Sequence, residues 1–77
     1  MDYELCLEKA KKATESLPFL REFFLKDLFP GSEWNRLGKG ERRDFGKRFK
    51  YEVSQGRFSN VRFLKKAQNN SALYIKE

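Results

Sequence analysis

Apolar residues open the chain at spacings of three and four: Tyr3, Cys6, Leu7, Ala10, Ala13 and Leu17. On a helix at about 100° per residue they share one face, while Glu4, Glu8, Lys9, Lys11, Lys12 and Glu15 fill the rest. Asp2 is placed to cap this helix, since its carboxylate reaches backbone N–H groups that lack an intrahelical acceptor. Pro18 ends it near Ser16, because the residue before a proline is pushed out of the helical region. Cys6, on the apolar face, reads as a small buried hydrophobe.

The segment from Phe19 to Phe29 is dense in large apolar side chains and reads in two ways. As one helix, Leu20, Phe24 and Leu28 share a broad face with Leu25 and Phe29. As a short strand ending near Phe24, it leads into a short helix from Leu25 to Phe29, the reading preferred here. Pro30-Gly31 then forces a turn. Ser32 is the expected N-cap of a short helix whose Trp34 and Leu37 face the core. Gly38-Lys39-Gly40 breaks that helix, and a longer one runs from about Glu41 to Gln55, with Gly56 past its end. The last stretch reads as a β-hairpin with arms Val61 to Ala67 and Ala72 to Lys76 around a Gln68–Ser71 turn, because Asn accepts positive φ. Adjacent apolar pairs such as Phe63 and Leu64 leave open which side chains point inward.

The long helix has two unlike faces. Phe45, Phe49 and Val53 form the buried stripe, with Arg42 and Gly46 at its edges. Arg43, Lys47, Lys50, Tyr51 and Ser54 collect on the opposite side, with Asp44 and Arg48 beside them. An ordinary solvated face mixes signs, whereas this one carries four bases against one acid. Gly46, costly inside a helix, is expected where a neighbouring helix, the one bearing Trp34, comes close.

Charge sharpens this pattern. The 77 residues hold 17 Lys and Arg against 11 Asp and Glu, a net charge of +6. Residues 1–33 sum to −2 and residues 34–77 to +8. A basic half suits a polyanion, because each cation set on a phosphate releases condensed counterions. The length allows one small domain, and eight Phe, three Tyr and one Trp supply its core. No apolar run is long enough to span a membrane and none reads as a signal peptide, so a cytoplasmic module is expected. With no His and a single Cys, Cys/His zinc sites, an internal disulfide and His-dependent nucleophilic catalysis are excluded. No pair of acids stands out in the basic half, so neither an enzyme nor a cofactor is expected.

Leu25-Lys26-Asp27-Leu28-Phe29, then Trp34, Leu37, Gly40, Arg42, Gly46, Phe49, Val53 and Gly56, then Asn60-Val61 and Asn69 to Tyr74, together form a pattern. The pattern resembles a small bacterial and phage domain family catalogued only as a domain of unknown function. It spans about Phe24 to Lys76 and implies a compact winged-helix-like fold, but no activity.

The expected fold class is α+β: a small winged helix-turn-helix-like domain over residues 18–77, preceded by an accessory N-terminal helix over residues 1–17. Its expected partner is double-stranded DNA, as for a small regulator or a mobile-element accessory protein. Arg43, Lys47, Arg48, Lys50 and Tyr51 would enter or line the major groove. Lys39 before the helix, and Arg62, Lys65 and Lys66 on the hairpin, would contact phosphates, while Asn69 and Asn70 suit either a turn or a minor-groove contact. Trp34 and the Phe residues could offer a stacking platform to unpaired bases, but so short a chain needs them in its core. The rival reading is a protein-interaction module that docks an acidic partner or forms a homodimer through the N-terminal helix or head to tail.

Overall fold

A computed structural model describes residues 2–68 and 71–77; Asn69 and Asn70 lie outside the described residues. Helix α1 spans Tyr3–Glu15, and the Asp2 carboxylate accepts a hydrogen bond from the Leu5 N–H at 3.2 Å. Strand β1 covers Glu22–Phe24 and runs into a 3-10 turn at Leu25–Leu28. The Asp27 carboxylate fixes this junction by accepting from the Phe24 N–H at 2.9 Å. Helix α2 spans Gly31–Asn35, helix α3 Lys39–Ser54, strand β2 Val61–Lys66 and strand β3 Ala72–Lys76. The strand-then-helix reading of Phe19 to Phe29 therefore matches the structure.

The three strands form one antiparallel sheet in the order β1-β3-β2. Three helices, the sheet and a C-terminal hairpin give an α+β architecture compatible with a small winged-helix-like domain. Phe23 and Phe63 lie on either side of Tyr74 in the sheet, and Phe49 of α3 meets the Tyr74 ring edge-on at 5.0 Å between centroids. Phe49 also packs on Phe58 at 4.8 Å, and Phe45 stacks on Tyr3 at 6.0 Å. Burying each such ring stabilises the fold by about 1.5–3 kcal/mol. Tyr74 is buried in this core, and burial pushes the pKa of its hydroxyl up to about 12.

The sequence sets residues 1–17 apart as an accessory helix. In the structure Leu7 and Ala10 of α1 belong to the same buried cluster as Phe45, Phe49 and Tyr74. Cys6 packs partly buried against that cluster, as its position on the apolar face implies.

Three local expectations change. Ser32 lies inside α2, not at its cap: the helix starts at Gly31, and the Pro30 carbonyl accepts from the N–H groups of Glu33 and Trp34, both at 3.0 Å. Helix α3 begins at Lys39, before Glu41, because the Glu41 carboxylate turns back to accept from the Gly38 N–H at 3.1 Å. Gly46 meets no neighbouring helix; a Cβ built there would have nothing within 4 Å. The end of α3 follows expectation, with Gly56 at φ +87°, where a Cβ would be strained.

Leu20 adopts φ +67° without being a glycine, a conformation that costs about 1–3 kcal/mol. Its N–H donates to the Lys76 carbonyl at 2.7 Å, which ties the loop before β1 to the end of β3.

Candidate nucleic-acid interface

Helix α3 turns Phe45 and Phe49 inward, so its 3.6-residue repeat sends Arg43, Lys47 and Lys50 outward. A groove of about 530 Å³ runs beside this face. Arg42, Arg43, Lys47 and Lys50 of α3 line one side, Lys26 of the 3-10 turn and Lys66 of β2 the others. Trp34, Leu25, Ala72 and Tyr74 supply apolar lining, and Gly46 leaves the middle open. No carboxylate lines the groove among the described residues.

Packing holds several of these cations in place. The Lys50 ammonium stands 4.3 Å from the centroid of the Phe63 ring, close enough for a cation–π contact that ties α3 to β2. Arg42 donates from Nε to the Trp34 carbonyl at 3.3 Å, with its guanidinium 5.9 Å above the indole. Lys26 lies 5.9 Å from the Phe24 ring. Lys66 owes its position to a β-bulge at Leu64: Phe63 pairs with Tyr74, Lys65 with Leu73 and Lys66 with Ala72. Lys66 therefore shares the helix-facing side with Phe63, and Lys65 points to the opposite side.

The nine residues singled out in the sequence fall into three groups. Arg43, Lys47, Lys50 and Lys66 converge on the groove. Lys39, in the first turn of α3, and Tyr51, 58% exposed, stand on the helix surface outside the groove lining. Arg48, Arg62 and Lys65 lie elsewhere. Arg48 pairs with Glu4 of α1 and with Glu52, each at 3.0 Å. Arg62 shares the outer sheet face with Lys65 and pairs with Glu77.

The Arg48 cluster is closed by Arg57, which contacts Glu4 at 3.0 Å and Glu52 at 3.7 Å. The hydrogen bond from Arg57 holds the Glu4 carboxyl below its ordinary range, and the same contact raises Arg57. Two cations and two carboxylates thus neutralise one another on the α1 side of α3.

Sequence reasoning missed Lys26, Arg42 and Trp34 as groove residues. Lys26 sits in a segment without basic neighbours, and only the turn after β1 carries it opposite α3. Arg42 falls at the edge of the buried stripe, and that position is the signal that could have placed it in the groove wall.

Among the described residues, no helix is long and apolar enough to cross a membrane. No curated protein and no solved structure matches the chain. Residues 8–76 match a family described as a domain of unknown function, and the match begins inside α1 and ends with β3. The chain belongs to that family, DUF1413.

Proposed function

We propose that this domain binds double-stranded DNA, with α3 in the major groove and the β2–β3 hairpin following the adjacent phosphates. The observation that carries this reading is the groove lining: six cations drawn from α3, the 3-10 turn and β2, and no carboxylate among the described residues. A helix with side chains is about 10–12 Å across and the major groove is about 12 Å wide, so α3 fits it. Arg43 has the forked geometry to engage a guanine edge, while Lys47 and Lys50 act as point charges. Lys26 and Lys66 flank the helix where the sugar-phosphate chain would pass, Lys39 reaches phosphates from the first turn, and Tyr51 offers its hydroxyl to the backbone. Such a chain would serve as a small cytoplasmic regulator or a mobile-element accessory protein.

Fluorescence anisotropy of a labelled random duplex at low and moderate salt tests this. Binding is expected to weaken steeply with salt, by a log–log slope of about −0.9 for each phosphate contacted. A Lys47→Glu, Lys50→Glu double variant is expected to lose most of it. Unchanged binding in that variant removes the groove as the interface. Absence of binding at both salts favours the second reading, an acidic protein segment, which the apolar lining from Trp34 and Tyr74 would suit through an apolar anchor.

A further inference from the structure

The sheet has two faces, and only one is used by the helices. Phe63, Ala72 and Tyr74 lie on the packed side. On the other side, strand register sets out two rows: Glu22, Ile75 and Arg62 in one, Phe24, Leu73 and Lys65 in the next. Phe24, Leu73 and Ile75 are each partly exposed, and none belongs to the apolar side chains packed on the core. This outer face is therefore apolar along its central strand, acidic at its β1 edge and basic at its β2 edge. Glu22 and Lys65 make no ion pair among the described residues, and Arg62 meets Glu77 through Nε.

That arrangement complements itself. Stack two such sheets face to face, about 10 Å apart, and relate them by a two-fold axis along β3. Strand β3 then lies over β3, so Leu73 meets Leu73 and Ile75 meets Ile75. Strand β1 of each copy lies over β2 of the other, so Glu22 faces Arg62 twice and Phe24 covers the Lys65 stem. The other face-to-face two-fold, running across the strands, sets β2 on β2 and drives Arg62 against Lys65, a like-charge contact. We propose that the outer face of the sheet is the docking surface for a second copy of this chain, in the first of these two orientations. The surface uses none of the groove cations; Phe24, beside Lys26, is the one residue it shares with the groove lining.

Sedimentation equilibrium on the full chain tests it. The wild type is expected to dimerise at concentrations of about 100 µM or below. Reversal of one charge, Glu22→Arg or Arg62→Glu, is expected to weaken the dimer by at least about tenfold, since each breaks two symmetric pairs. Glu22→Gln, which keeps the shape, should give a smaller loss. The double exchange Glu22→Arg, Arg62→Glu is expected to restore association, because the pairs re-form with swapped signs. All four changes lie at exposed positions, and circular dichroism checks that each variant keeps the wild-type fold. A wild type that stays monomeric up to about 1 mM overturns the proposal. So does a dimer that the single reversals leave unchanged, or one that the double exchange fails to restore.

Discussion

Lys47 and Arg48 are neighbours on one helix and carry the same charge, yet they lie in opposite surroundings. Lys47 turns to a groove shared with Lys50, Arg43, Lys26 and Lys66, where no described carboxylate answers the charge. Arg48 turns to α1, where Glu4 and Glu52 hold it and Arg57 completes the cluster. A single step of about 100° around the helix separates an unbalanced positive field from a neutral one. The lesson is that a helical wheel counts charges, whereas the packed neighbours decide which of them remain available to a partner.

Removing the support common to both sides has the largest effect. Phe49 lies fully buried beneath α3, against Phe58 and Tyr74. Phe49→Ala should cost about 3–5 kcal/mol in chemical denaturation and undo both surfaces together. Next comes the contrast itself. Reversing Lys47 and Lys50 together should weaken duplex binding by about a hundredfold or more at moderate salt, while Arg48→Glu moves it by less than about threefold. Comparable losses from the two variants would mean that the Arg48 side also meets DNA. A smaller effect comes from the open wall of the groove: Gly46→Ala should raise stability by about 0.5–1 kcal/mol, because a helical Gly gains from a Cβ and nothing stands in its way.

The weakest effect separates the two sides by pH. Folding lowers the Glu4 pKa through Arg57, so the stabilisation is complete above the ordinary value of 4.5 and is lost as pH falls through the lower folded value. The melting-temperature difference between wild type and Glu4→Gln should therefore be steady from neutral pH down to about 4.5 and close as pH falls further. Glu4 is exposed and Arg57 only half-buried, so the difference is small and shrinks with salt. Duplex affinity of the two chains should coincide at neutral pH.

Much of the fold was legible because its signals are local. Apolar spacing marked α1 and α3, Asp2 and Gly56 marked their ends, and the hairpin followed from turn-forming residues between apolar arms. Ser32 misled because a proline just ahead of it already supplied the turn and the carbonyl that start α2. Gly46 misled because a helical glycine signals absent bulk without saying whether a neighbour or an open groove lies beyond it. The candidate site was half legible. Arg43, Lys47 and Lys50 follow from the period of one helix, but Lys26 reaches the groove only through tertiary structure. Arg48 and Arg62 left it because their partners, Glu4 and Glu77, are distant in sequence or hidden by strand register.

The bulge at Leu64 has a further consequence for the hairpin. A strand assigns its side chains to two sides by odd and even count, and one surplus residue reverses the parity of everything after it. Excising Leu64 would therefore leave the lysines where they are: the residue after Phe63 would still pair with Leu73 and the next with Ala72, so Lys65 would stay on the outer side and Lys66 on the side of α3. The ammonium group beside α3 would remain that of Lys66, so Lys65→Ala and Lys66→Ala should keep their separate phenotypes in the shortened hairpin.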